Sequence, residues 1–272
     1  MLSEGIHFTS NCPPEDIGWK LAAVNLSDLA AMGARPLAAL FGAGIGEGRD
    51  AGWATALARG LAACLDAHGC PLVGGDTIRQ HGPTTLALTA LGHLPPGSAL
   101  GRCGASAGDD LWVSGTIGDA GLGLEVAQGR RPFDRRLLAR YRRPVPRLAL
   151  GGQLRGVATA AVDVSDGLLL DASRLAEASG LVAAIVEADI PLSEAARASG
   201  VAARDLATLG DDYELLFAAP ASRRDEVLAL GNVSRIGALH PWGDVSGPRT
   251  RVLLRDRGGR PIVIADLGHR HL

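Results

Sequence analysis

The sequence predicts a mixed α/β (α+β) fold in two domains, on three observations. Segments with helical and strand periodicity alternate along most of the 272 residues. The run Pro95-Pro96-Gly97-Ser98 interrupts them as a linker. On either side of it a strand leads into a glycine- and acid-rich turn, so two similar units are expected, residues 1–97 and 98–272.

In the first unit, Pro13 and Pro14 open a helix that reaches about Gly33, with proline in the first turn and glycine past the end. Leu37 to Ile45 is expected as a strand and Asp50 to about His68 as a long Ala-rich helix. Pro71-Leu72-Val73 is expected as a short strand ending in a turn at Gly74-Gly75-Asp76-Thr77, and Thr84 to His93 alternates as a strand. In the second unit, Leu111 to Ser114 is a strand, followed by helices near Ala120–Gln128, Arg135–Tyr141 and Arg147–Leu154. Thr159 to Val164 is a strand that meets Ser165-Asp166-Gly167 and a helix over Leu168–Ser179. Strands near Ala183–Glu187 and Tyr213–Ala218, a helix over Ser222–Leu230, and strands near Arg235–Leu239 and Arg251–Leu254 complete the alternation.

Composition excludes several functions. Basic and acidic residues number 27 and 29, so there is no basic excess and no nucleic-acid partner is expected. Lys20 is the only lysine. There is therefore no G-x-x-x-x-G-K-[ST] loop, and a Schiff-base mechanism would have to use Lys20. Phosphate would be held by arginine, backbone N–H groups or metal ions. Cys12, Cys64, Cys70 and Cys103 form no C-x-x-C pair, which points to reduced thiols in a cytoplasmic protein. No apolar run approaches the ~20 residues of a membrane span. Met1-Leu2-Ser3-Glu4 lacks the basic start of a signal peptide. The seven histidines make no close ligand pair on a helix, and His269 and His271 are expected at the surface.

Acidic residues stand where a fold alone does not need them. On the first helix, Ile17, Leu21, Val24 and Met32 form an apolar stripe, and Asp28 falls about 20° from Ile17. A carboxylate there is paired with arginine, reaches solvent at the stripe end, or binds a cation. Gly74 and Gly75 before Asp76 let backbone approach a ligand, or simply form a tight turn. In Asp163-Val164-Ser165-Asp166-Gly167, two carboxylates and a hydroxyl sit between an apolar strand and a helix N-terminus. That arrangement suits a hard cation such as Mg2+, although a helix cap would account for Ser165 or Asp166 alone. Gly210-Asp211-Asp212-Tyr213 is a further acidic turn, and Arg102 is a lone arginine in a glycine-rich loop. Several acidic turns, with no defensible Ser-His-Asp or Cys-His pattern, favour phosphoryl chemistry run by carboxylates and metal ions.

Six motifs occur in a characteristic order: Gly5-Ile6-His7-Phe8, Asn25 through Pro36 (NLSDLAAMGARP), Gly74-Gly75-Asp76-Thr77, Arg143-Pro144-Val145-Pro146-Arg147, Val162 through Leu168 (VDVSDGL), and Gly210 through Leu215 (GDDYEL). On these the chain resembles the thiamine-monophosphate kinases of the aminoimidazole-ribonucleotide-synthetase-like (AIR-synthetase-like) superfamily, from its first residues to about Gly237. The resemblance implies a two-domain AIR-synthetase-like fold. Its N-terminal domains would pair in a homodimer around a β-barrel-like interface, and its C-terminal domain would be mixed α/β. It implies transfer of the ATP γ-phosphoryl group to thiamine monophosphate with several Mg2+ ions. Asp28, Asp76 and Asp163 would be metal ligands with catalytic roles, and Asp166 would bind a further Mg2+. Gly75, Asp76, Arg102 and Ser165 would contact ATP, and His7, Asp211 and His269 would lie at the thiamine phosphate.

The sequence departs from the family pattern in three ways. The family carries several dozen residues, with Gly-Asp-Asp and Thr-Thr-Asp metal-binding stretches, ahead of the point matching Met1. Asp211 stands for the family's usual Glu. Gly268-His269-Arg270-His271-Leu272 stands for a glycine, an aromatic residue and Asp-His-Phe. Two alternatives therefore stay open: another ATP-dependent enzyme on this scaffold, of the aminoimidazole ribonucleotide synthetase or hydrogenase-maturation type, and a non-catalytic nucleotide-binding relative.

Overall fold

Two mixed sheets, each backed by helices, account for nearly all the regular structure in the computed structural model, which describes residues 1–244 and 251–269. The first contains β1 (Leu2–Ser3), β2 (Arg35–Ile45), β3 (Leu72–Arg79) and β4 (Thr85–His93) in the order β1-β4-β2-β3. β2 runs parallel to β3 and antiparallel to β4. Helices α1 (Pro14–Ala31) and α2 (Ala51–Ala67) cover one face. They cross so closely that a Cβ on Gly18 would lie 2.1 Å from the Leu57 carbonyl oxygen, and one on Gly60 1.9 Å from that of Glu15. Only glycine permits that approach.

Asp50 caps α2 by accepting the Trp53 N–H at 2.7 Å. α1 ends at Gly33, whose φ of +71° belongs to the left-handed region that glycine enters without strain.

The second sheet contains β5 (Asp110–Ser114), β6 (Ala160–Asp163), β7 (Leu181–Val186), β8 (Leu215–Ala219), β9 (Val233–Pro241), β10 (Val252–Arg255) and β11 (Pro261–Ile262). Their order is β11-β10-β7-β9-β5-β8-β6, antiparallel except for the β7–β10 pair. α3 (Asp119–Ala127), α4 (Arg135–Arg142), α5 (Leu148–Leu154), α6 (Leu168–Ala178), α7 (Glu194–Ala198), α8 (Ala203–Leu206) and α9 (Arg224–Ala229) surround it. α6 packs Leu168, Leu169, Ala172 and Leu175 on one face of the sheet. On the other face Trp112, Phe217 and Leu154 meet Ala30 and Ala31 of α1, so α1 is shared by both sheets.

Two expectations are corrected. Gly74 to Thr77 is not a turn: β3 continues through it to Arg79, paired with Leu40 to Ile45 of β2. A Cβ on Gly75 would lie 2.0 Å from the Phe41 carbonyl oxygen, so only glycine permits this close strand pairing. The four-stranded sheet is open within one chain, with β3 at its edge; the expected barrel-like interface would be made between two copies. The stripe through Ile17, Leu21, Val24 and Met32 does not face one core. Sandwiched α1 buries most of its circumference, while Val24 and Asp28 open onto a cavity and Met32 is exposed.

Candidate active site

A cavity of about 560 Å³ lies where α1 meets the turns after β6 and before β8. Asp28, Asp163, Ser165, Asp166, His7, Asp211 and His269 all line it. The remaining expected residues do not. Gly75 and Asp76 lie on the exposed edge strand β3, where Asp76 borders a second cavity of about 300 Å³; Met1 lines both. Arg102 acts on Asp28 only through its charge, which lowers that carboxyl. His271 lies outside the described residues.

On the cavity wall, burial and the charge of Asp28 push the Asp163 carboxyl up to about 7. The Ser27 hydroxyl donates to Asp163 Oδ2 at 2.8 Å and works against that rise. Asp28 is itself raised, by desolvation first, with the N-terminal ammonium and Arg102 opposing. Two like charges held together out of bulk water are what a cation would relieve.

The next turn is fixed from within. Asp171, buried in the first turn of α6, accepts the backbone N–H groups of Ser165 and Asp166, each at 3.0 Å. Arg174 bonds Asp171 at 2.9 Å and also bonds Asp166. Neither Ser165 nor Asp166 caps α6, whose N-cap is Gly167. Both residues line the cavity, and the Asp166 carboxylate is bonded by Arg174.

Among the described residues no three His, Cys, Asp or Glu side chains form a group that could enclose a metal ion. Within the chain the four expected aspartates do not form one cluster: the charge of Asp28 acts on Asp163, Asp166 bonds Arg174, and Asp76 lies apart. The Asp28–Asp163 pair still fits Mg2+, which is commonly held by one or two carboxylates together with substrate phosphates.

Elsewhere on the cavity wall, His7 accepts the Ser3 N–H on Nδ1 at 3.1 Å, which leaves the proton of the neutral ring on Nε2. The Asp211 carboxylate is engaged on both oxygens, by Lys20 Nζ at 2.8 Å and by the Tyr213 hydroxyl at 3.0 Å. His269 donates its backbone N–H to the Asp166 carbonyl at 2.9 Å, which brings the C-terminal segment to the cavity rim. Behind this wall, Asp212 accepts the Gly118 and Ala120 N–H groups and so holds the start of α3. Glu214 is fully buried against Arg140 and Arg147.

Sequence reasoning missed Lys20, Asp171 and Arg130, which also lines the cavity. Lys20 carried a usable signal, as the one charge within the otherwise apolar or small run Ile17–Val24. Asp171 carried none, since a single acid in a first helical turn is common.

Models of the AIR synthase related protein N-terminal and C-terminal domains match residues 1–94 and 106–238. The chain is 39% identical to the thiamine-monophosphate kinase of Salmonella typhimurium (strain LT2) over 241 residues, 85% of this chain and 73% of that one. The crystal structure of thiamine-monophosphate kinase from Stenotrophomonas maltophilia K279a matches at TM-score 0.80 and 38% identity, over 94% of this chain and 83% of that one. AaThiL complexed with AMPPCP and TMP matches at TM-score 0.86 and 28% identity, over 99% and 85%. Both domain matches, the paired sheets and the acidic cavity define a two-domain protein of the AIR synthase related class. Within that class the chain belongs to the thiamine-monophosphate kinase family, and it is a phosphotransferase.

Proposed function

We propose that this chain transfers the γ-phosphoryl group of ATP to the phosphate of thiamine monophosphate, giving thiamine diphosphate and ADP. The observation that carries this reading is one cavity lined by an electrostatically strained carboxylate pair, Asp28 and Asp163, together with His7 and Asp211. The relative AaThiL complexed with AMPPCP and TMP supports the same pair of ligands.

A phosphate monoester is largely ionised at pH 7, so the acceptor needs no general base. The remaining demands are in-line positioning and control of charge. His7 and Asp211 orient the thiamine phosphate, with His269 at the rim. Ser165 contacts ATP, with Arg102 drawn on for its charge near Asp28 and Gly75 on β3. Asp28 and Asp163 would hold Mg2+, with Asp166 and Asp76 at further ion positions. When bound, the ion neutralises charge on the phosphates.

The domain division at residues 97 and 98 and the homodimer belong to the same proposal. Exposed Leu72, Val73 and Ile78 on edge strand β3 support pairing of two copies through the open sheet. The four cysteines are free, which supports a reducing, cytoplasmic setting. No helix among the described residues is long and apolar enough to cross a membrane.

The test is incubation with γ-labelled ATP and thiamine monophosphate. The label is expected in thiamine diphosphate. Label released only as free phosphate would place the chain with another ATP-dependent reaction of the same scaffold.

A further inference from the structure

Lys20 sits on α1 and is 2% exposed, so its ammonium must be compensated inside the protein. Three groups surround it. Asp211 Oδ2 lies at 2.8 Å, the His7 carbonyl oxygen at 3.2 Å and the Tyr141 ring centroid at 4.0 Å. His7 and Asp211 line the cavity, whereas Lys20 does not. The loop carrying Asp211 is strained: Asp211 has φ 71° and Tyr213 has φ 51°, both in the left-handed region that side chains other than glycine rarely adopt.

We infer that Lys20 is a positioning residue for the thiamine-phosphate end of the cavity, acting through Asp211. It rests on the kinase reading above. One buried cation ties a carboxylate of the C-terminal part to a backbone carbonyl of the N-terminal part, 191 positions apart for the Asp211 bond. It thereby sets which way both cavity-wall residues point. Without it the Asp211 carboxylate keeps only the Tyr213 hydroxyl, a partner on the same strained loop. Asp163 is held by Ser27, and the Ser165–Asp166 turn by Asp171 on its two amides, while the Asp211 N–H donates to the Ser165 carbonyl at 2.9 Å, a bond that does not involve Lys20. Those bonds remain when Lys20 is lost, so the change falls on the Asp211 carboxylate and with it on thiamine monophosphate rather than on ATP.

The experiment compares wild type, Lys20→Met, Asp211→Asn and the double variant. Steady-state kinetics for both substrates are combined with calorimetric binding of thiamine monophosphate. Lys20→Met is expected to raise KM and Kd for thiamine monophosphate about 10-fold, as a coupling between contacting groups typically does, while KM for ATP moves less than about twofold. In the Asp211→Asn background the same change should add less than about twofold, because the group it positions is already gone. The double variant leaves no orphaned charge, so the comparison survives if Lys20→Met alone folds poorly. A purely structural role predicts a lower thermal midpoint with both KM values unchanged, or recovery of thiamine monophosphate affinity in the double variant; either overturns the inference. A wild-type chain that neither binds nor phosphorylates thiamine monophosphate overturns the kinase reading and this inference together. A wild-type chain that does both, with Lys20→Met indistinguishable from it, overturns this inference alone.

Discussion

The Ser27 hydroxyl on α1 donates a 2.8 Å hydrogen bond to Asp163 Oδ2 at the end of β6, joining the helix behind the first sheet to an edge strand of the second. The bond favours the ionised carboxylate at a position where burial and Asp28 oppose it. Ser27→Ala should therefore raise the Asp163 carboxyl further. It should cost about 1 kcal/mol of stability, the ordinary net value of one hydrogen bond. Transfer activity should fall at neutral pH and recover part of its loss as pH is raised. A pH–rate profile of the variant checks this; a profile superimposable on that of wild type would remove the bond from the site's electrostatics.

Asp28→Asn separates function from stability. Asp28 contributes like-charge repulsion against Asp163 and has no ion-pair partner within hydrogen-bond range among the described residues. The substitution should abolish transfer while leaving the thermal midpoint unchanged or slightly higher. A large destabilisation would mean that Asp28 is a structural anchor.

Metal removal tests the same carboxylates by another route. ATP binding, followed by calorimetry, should weaken at least about tenfold in excess chelator, since phosphate and carboxylates would then face each other unshielded. Equal binding with and without chelator would defeat the cation role assigned to Asp28 and Asp163.

Glu214 provides a stability prediction. Burial pushes its carboxyl up, but the Arg147 and Arg140 guanidiniums and the Ser114 hydroxyl more than offset this and hold it below its usual value. Glu214→Gln strands two partly buried arginines and should cost about 3 kcal/mol, the low end for breaking a buried pair. The contribution is present above the unfolded-state value of 4.5 and is lost as pH falls through the lower folded-state value. Urea melts at pH 7 and pH 3 should show the gap between wild type and variant closing in acid.

Asp212 carries the opposite sign. Complete burial raises its carboxyl from 3.8 to about 7, against the Gly118 and Ala120 N–H groups and Arg140, which favour the charge. The folded chain therefore keeps a proton that the unfolded chain releases. This contribution is complete below 3.8 and is lost as pH rises through about 7. Asp212→Asn should flatten that part of the pH–stability curve. Thermal midpoints of wild type and variant between pH 4 and pH 8 read it directly.

Elements long enough to show a period were legible in the sequence. α1 and α2 follow from their proline and aspartate starts, and β4 from its alternation. β1, β11, α7 and α8 are two to five residues long and were not, because so short a run holds less than one or two periods. β3 was misjudged at Gly74-Gly75. Local propensity favours a turn there, but pairing with β2 across a close backbone approach keeps the chain extended.

The acidic residues of the site were visible because carboxylates beside apolar strands and helices conflict with local burial, and that conflict is written in the sequence. The sequence by itself determined the two-unit α/β plan, the absence of a lysine-based phosphate loop, and the grouping of Asp163, Ser165 and Asp166. Only the tertiary structure decided that Asp28 and Asp163 line one cavity with the charge of the first acting on the second, that Asp76 stands apart on an edge strand, and that the sole lysine is buried against Asp211. These relationships join residues far apart along the chain. Periodicity reports only which side of its own element a residue occupies, whereas partners across elements are chosen by packing and by the cost of leaving a buried charge unpaired.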